Sequence, residues 1–107
     1  MKTLDLEILR RAVRAGKIEW RKHALQKLAE RGLPQSAVLA VIESGERIRD
    51  YAEDRPFPSA LLLGYHAGHP LHVVTACDEA SETAFIITAY EPSLDIFEPD
   101  YRTRKKP

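Results

Sequence analysis

The run from Ile18 to Gly32 constrains the fold most, because its hydrophobic period changes within a few residues. Ile18 and Trp20 lie two positions apart, which is typical of a short strand. The apolar side chains that follow take helical spacing up to Gly32, and glycine permits the left-handed backbone that ends a helix. The run therefore predicts a short strand that leads directly into a helix.

The rest of the chain divides into helical and strand-like parts. Apolar residues at helical spacing predict one helix within residues 1–16 and another between Pro34 and Gly45. From Glu46 the period becomes two, and turns separate strands over 48–51, 60–65, 71–78 and 83–90. Because helices come first and hairpins follow, we predict an α+β fold, with N-terminal helices packed on a mostly antiparallel sheet of about four strands.

The 107 residues predict one domain, residues 1–107, with an N-terminal helix over 1–16, a core over 17–101 and a basic tail over 102–107. The single cysteine, Cys77, leaves no internal disulfide and is typical of a reducing compartment. No apolar run approaches the roughly 20 residues of a membrane span, and Met1 is followed by charged residues instead of an apolar leader. We therefore expect a cytoplasmic protein without membrane association.

The formal net charge of zero hides a segregation of charge along the chain. Residues 1–31 carry a balance of +5, residues 32–101 a balance of −9, and residues 102–107 a balance of +4. Segregated charge is compatible with a basic face that binds nucleic acid, and a solvated N-terminal helix with a basic tail gives the same balance. The acidic middle would repel RNA unless it faces away from the binding surface.

A row of polar side chains follows one side of the helix after Trp20. His23, Lys27 and Arg31 share that side at about 100° per residue, and Arg21 precedes them. One titratable ring and several cations are the groups that an RNA phosphate requires. An ordinary solvated helix surface has the same composition, so this interpretation stays open beside the functional one.

A second polar group is predicted in the last hairpin. If residues 79–82 form the turn, His72 lies opposite Thr88, and Tyr90 lies one diagonal step away on the same face. The alternative interpretation is a histidine hydrogen-bonded at a strand end, with the tyrosine at the edge of the core.

The two groups together contain the parts of a metal-free ribonuclease. His23 and His72 would serve as base and acid, because histidine titrates nearest neutral pH. Arg21, Lys27 and Arg31 would hold the phosphate. Thr88 and Tyr90 would position it, and Tyr90 could also stack on a base or donate a proton.

Other chemistries have weaker signals. His66, His69 and His72 are three apart and could bind zinc or nickel, but they straddle a Gly-Pro loop and a strand. Cys77 has no adjacent cation that would lower its pKa and activate it as a nucleophile. Phe57 lies between two prolines, either in an exposed recognition loop or plugged into the core. The sequence contains no phosphate-binding glycine loop, and we expect no cofactor and no metal.

An ordered set of short motifs resembles a known family over roughly residues 15–102. The motifs lie at 20–24 (WRKHA), 30–32 (ERG), 41–46 (VIESGE), 56–59 (PFPS), 70–74 (PLHVV) and 87–92 (ITAYEP). Their succession resembles the family known as domain of unknown function 4258, which looks related to the RelE and BrnT groups of small toxins. The resemblance implies a RelE/BrnT-like core over residues 17–101.

The resemblance also implies a function and a set of site residues. It implies a toxin-like, metal-independent endoribonuclease of a toxin–antitoxin pair, with RNA and a cognate antitoxin protein as partners. His23, Arg31, His72 and Tyr90 match the motifs and are the expected catalytic residues, with Arg21, Lys27 and Thr88 as substrate-binding residues. The alternative is a non-catalytic protein-binding module.

Overall fold

The computed structural model describes residues 2–106. Met1 and Pro107, the end residues of the predicted N-terminal helix and basic tail, lie outside the described residues. The described chain forms the elements α1 (Leu6–Arg14), β1 (Ile18–Trp20), α2 (Lys22–Arg31), α3 (Gln35–Ser44), β2 (Glu46–Tyr51), β3 (Ser59–His66), β4 (His69–Asp78) and β5 (Thr83–Tyr90).

The strands form one mixed sheet in the order β1-β5-β4-β3-β2. The neighbours from β2 to β5 are antiparallel, whereas β1 runs parallel to β5 and pairs Ile18 with Ala84. The predicted α+β class is confirmed. The predicted count of about four strands was wrong, because the three-residue β1 joins the sheet through a partner at the far end of the chain.

Local chemistry sets the helix boundaries. The Asp5 carboxylate accepts hydrogen bonds from the backbone N–H groups of Glu7 and Ile8, which caps α1. Gly32 ends α2 at φ 65°, a left-handed conformation that favours glycine. The longest helices, α2 and α3, have ten residues each, so no helix within residues 2–106 could cross a lipid bilayer.

The main core lies between the helices and one face of the sheet. Leu9 of α1 and Ile42 of α3 are completely buried there, against Leu62, Val73 and Ile86 of the three central strands. We call this the helix-covered face. Burying such side chains stabilises a fold by about 1.5–3 kcal/mol each, so this face accounts for most of the hydrophobic stabilisation.

The opposite side of the sheet carries no helix, and we call it the helix-free face. Residues opposite each other in antiparallel strands share a face, so the register identifies its members. They are Glu46, Arg49, Tyr51, Ser59, Leu61, Leu63, His72, Val74, Ala76, Phe85, Thr88 and Tyr90.

A β-bulge at Ile87 divides β5. Ile86, the residue before the bulge, pairs with Thr75 of β4, and Thr88, the residue after the bulge, pairs with Val74. His72 therefore lies opposite Tyr90, and the predicted pairing of His72 with Thr88 was wrong by two residues, one of which is the bulge residue. A uniform register cannot anticipate the extra residue that a bulge inserts.

The C-terminal segment, residues 91–106, crosses one end of the helix-free face. It folds back on itself through a bridge between Phe97 and Arg104, and the Glu98 N–H donates to the Thr103 carbonyl at 2.8 Å. Phe97 is buried, and Arg102 forms an ion pair with Glu46 of β2 at 2.7 Å. Four residues of the predicted basic tail, Arg102–Lys105, therefore belong to this folded segment.

Candidate functional site

His72 and Tyr90 form a buried pair where the C-terminal segment meets the sheet. The His72 side chain is completely buried, and its Nε2 lies 2.7 Å from the Tyr101 carbonyl oxygen. A carbonyl oxygen only accepts hydrogen bonds, so Nε2 carries the proton. In the neutral ring Nδ1 is then the acceptor, and it receives the Tyr90 hydroxyl proton over 3.3 Å. The edge-on ring of Phe97, with its centroid 4.7 Å away, completes the surroundings.

The environment keeps His72 neutral. Burial lowers the pKa of His72 below its usual value, and the hydrogen bond to the Tyr101 carbonyl opposes this shift only in part. The ring therefore has one acceptor nitrogen at neutral pH, Nδ1, and this nitrogen accepts the hydrogen bond from Tyr90.

Arg31 lies beside Tyr90 at the end of α2. Its guanidinium donates to the carbonyl of Ala89 at 2.6 Å, which anchors the end of α2 to β5. Arg31, Leu33, Tyr90 and Glu91 line an open cavity of about 410 Å³. A cation, a phenol and a carboxylate thus share one cavity.

Two further arginines act on Tyr90 from other segments. Burial and the neighbouring Tyr51 raise the pKa of the Tyr90 phenol, while the charges of Arg104, Arg49 and Arg31 oppose that rise. Arg49 belongs to β2 and Arg104 to the C-terminal segment. Arg31 lines the cavity beside Tyr90, and the charges of Arg49 and Arg104 add to the positive potential there, which favours an anion such as phosphate.

The remaining members of this site were missed by the sequence reasoning. Arg49 and Tyr51 alternate along β2, a signal that could have placed both on one face, but the bulge at Ile48 obscures the period. Arg104 belongs to the basic tail, and its return to the sheet has no local sequence signal.

The predicted histidine pair does not come together. His23 is exposed on the first turn of α2, a helix that contributes Leu28 to the core of the helix-covered face. His72 is buried on the helix-free face. Lys27, on the same helix as His23, forms an ion pair with Glu30 at 3.2 Å instead of facing Tyr90.

Three other predicted residues lie along β5. Thr88 is half-buried on the helix-free face, two residues before Tyr90. Arg21 lies near the opposite end of that strand, with its guanidinium carbon 5.6 Å from the centroid of the Phe85 ring. Of the seven predicted site residues, those around Tyr90 are Arg31, His72 and Thr88.

The other chemistries considered from the sequence find no support in the geometry. His72 commits both ring nitrogens to Tyr90 and Tyr101, and no cluster of metal-ligating side chains occurs among residues 2–106. Cys77 is buried, and burial raises the pKa of its thiol to about 11. A thiol of that kind is a poor nucleophile near neutral pH.

Comparison with known proteins gives one finding. The chain matches the family described as Domain of unknown function (DUF4258) over residues 20–91. That match covers more than half of the chain and includes His23, Arg31, His72 and Tyr90. No curated protein and no solved structure matches the chain significantly. The chain belongs to the DUF4258 family.

Proposed function

We propose that this member of the DUF4258 family is a toxin-like endoribonuclease that cleaves RNA without a metal ion. The observation that carries the proposal is the cavity that Arg31 and the Tyr90 phenol line together with Glu91, in the positive potential of Arg49 and Arg104. The RelE/BrnT-like relationship and a cognate antitoxin partner belong to the same proposal.

Arg31 supplies the phosphate contact. Its guanidinium is exposed at the cavity and held by the Ala89 carbonyl, so it is oriented before substrate binds. Arg49 of β2 and Arg104 of the C-terminal segment add positive charge near Tyr90. Such preorganised cations stabilise the extra negative charge of a pentacoordinate phosphorane.

Tyr90 and His72 supply the base. The ribose 2′-hydroxyl gives its proton to the Tyr90 oxygen while the Tyr90 proton moves to Nδ1 of His72, and the Tyr101 carbonyl stabilises the resulting imidazolium. The 2′-oxygen attacks the adjacent phosphorus, the bond from phosphorus to the 5′-oxygen breaks, and water protonates that oxygen. The hydroxide ion left from that water takes a proton from Tyr90, and Tyr90 recovers its proton from the His72 imidazolium, which restores the enzyme. The products are a 2′,3′-cyclic phosphate and a 5′-hydroxyl, so atoms and charge balance without a cofactor.

The test is cleavage of single-stranded RNA by the purified chain in the presence of EDTA. We expect products with cyclic phosphate ends, and no product from an all-2′-O-methyl strand. Tyr90→Phe keeps the ring against His72 and removes the hydroxyl, and should lower the rate by about 10²–10⁴-fold.

The matched control for loss of one positive charge is Arg14→Gln, because Arg14 lies on α1 and pairs with Glu43, away from Tyr90. Arg31→Gln should slow cleavage, whereas Arg14→Gln should not. Absence of cleavage in a diverse RNA pool, with normal growth when the chain is expressed alone, would refute the proposal. A partner that still binds in pull-downs would then favour the non-catalytic binding module.

A further inference from the structure

A second cavity lies beyond the opposite end of the helix-free face. It has a volume of about 360 Å³, and its lining is mainly apolar, with Ala52, Phe57 and Pro58 as its walls. Arg55 and Asp78 lie at its rim. This cavity has no role in the chemistry described at Tyr90.

One wall of this cavity is part of an aromatic stack. The rings of Phe57 and Phe85 lie 5.5 Å apart with an interplanar angle of 16°, so they are nearly parallel. The Arg21 guanidinium lies over the Phe85 ring. The half-buried Phe57 ring thus packs on the sheet, as one interpretation of the loop predicted, and also lines a cavity, while a recognition role for the loop stays a prediction.

The stack and the Tyr90 site lie on the same face of the same strand. Phe85 and Tyr90 are five residues apart on β5, which corresponds to about 16 Å at 3.3 Å per residue. Half-buried Thr88 lies between them, so the surface joining the two sites is accessible.

We propose that the Phe57 cavity binds an unpaired nucleobase of the RNA whose phosphate is held at Arg31 and Tyr90. The inference rests on the proposed function and specifies its substrate as single-stranded RNA that spans both sites. A flat ring accepts a base by stacking, which contributes to binding without requiring a particular sequence. Arg55, which also lines the cavity, can meet the adjoining phosphate. A base in a duplex is already stacked and cannot enter.

The experiment measures binding of a fluorescently labelled, all-2′-O-methyl octanucleotide to the full chain by anisotropy at fixed salt. A second octanucleotide of the same length carries abasic positions in place of its bases. The variant is Phe57→Leu, which keeps an apolar side chain beside Phe85 and removes the flat ring. Arg31→Gln serves as the variant of the phosphate contact.

We expect Phe57→Leu to weaken binding of the normal strand by about tenfold and to leave binding of the abasic strand unchanged. Arg31→Gln should weaken binding of both strands by the same factor. A duplex of the same sequence should fail to compete with the single strand.

The inference is overturned if Phe57→Leu leaves binding of the normal strand unchanged or weakens both strands equally. If the expected pattern appears but the wild-type chain cleaves no RNA, the cavity assignment stands and the endoribonuclease proposal fails. If RNA is cleaved and Phe57→Leu has no selective effect on the normal strand, the endoribonuclease proposal stands and the cavity assignment fails.

Discussion

Replacing His72 by glutamine tests whether a buried neutral imidazole holds the C-terminal segment to the sheet. Glutamine can place its amide near the position of Nε2 and still donate to the Tyr101 carbonyl, but it has no acceptor where Nδ1 lies. The lost bond from the Tyr90 hydroxyl contributes about 1 kcal/mol. The smaller side chain also leaves space beside Phe97, and together the two effects should lower the free energy of unfolding by about 2 kcal/mol at pH 7.5.

The pH dependence separates this mechanism from a simple packing defect. Burial lowers the pKa of His72 in the folded chain, so below about pH 6.5 the unfolded chain binds a proton that the folded chain does not. The stability of the wild type therefore falls as pH decreases from 6.5 toward the lower folded pKa, with a maximum slope of about 1.4 kcal/mol per pH unit. His72→Gln has no imidazole to protonate, so the difference in free energy of unfolding between the wild type and the variant should become smaller as pH decreases below 6.5.

Urea denaturation at pH 7.5, 6.5, 5.5 and 5.0 measures the difference. His69→Gln is the matched control, because His69 is exposed at the start of β4. The free energy of unfolding of His69→Gln should change with pH as that of the wild type does. A constant difference between wild type and His72→Gln from pH 7.5 to 5.0 would show that His72 is not the group whose protonation destabilises the fold.

Three further predictions follow from the geometry. A Cβ on Gly64 would lie 2.8 Å from Cγ2 of Val41, so Gly64→Ala should lower the free energy of unfolding by about 1–3 kcal/mol. In a double-mutant cycle, Val41→Ala should make the loss caused by Gly64→Ala smaller, and strictly additive losses would contradict the clash. Cys77 should react with a thiol reagent at pH 7.5 at least about 100-fold more slowly in the native chain than in urea, and equal rates would contradict its raised pKa. Arg31→Gln should lower the slope of log affinity against log salt for RNA by about one, whereas Arg31→Lys should preserve it; an unchanged slope for both would exclude a phosphate contact.

Local patterns in the sequence were sufficient to predict most of the helices and strands. The helical spacing around Leu28 and the glycine after it predicted α2, and the apolar alternation predicted β3, β4 and β5. These signals depend on neighbours within one turn or one strand, where propensity and hydrophobic period act directly.

The site could not be predicted to the same extent, because its geometry depends on long-range placement. The bulge at Ile87 accounts for one of the two residues that separate the predicted partner of His72, Thr88, from the observed partner, Tyr90. The C-terminal segment then buried the His72 ring under Phe97 and Tyr101, which no local pattern around residue 72 indicates. Arg31 and Tyr90 were foreseen from motifs and a helix row, whereas Arg49 and Arg104 reach the site from segments without such a signal.

Charges that are segregated along the sequence pair with each other in the folded chain. The basic ends of the chain pair with its acidic middle, through Lys2–Glu79, Arg11–Glu82, Arg14–Glu43 and Arg102–Glu46. Hydrogen bonds from arginine hold the pKa of Glu43, Glu46 and Glu82 below the usual value, so these acids stay ionised and matched with cations. Exposed pairs of this kind contribute little to stability, and their main effect is on the distribution of charge.

That distribution reduces the repulsion between the acidic middle of the chain and RNA. Within residues 2–106, Arg21, Arg31, Arg49 and Arg104 take no part in those ion pairs, and all four are exposed. Three of them act on Tyr90, and the fourth lies over Phe85. A chain with zero net charge can therefore present solvent-facing arginines along β5, with the Glu91 carboxylate beside them at the Tyr90 cavity.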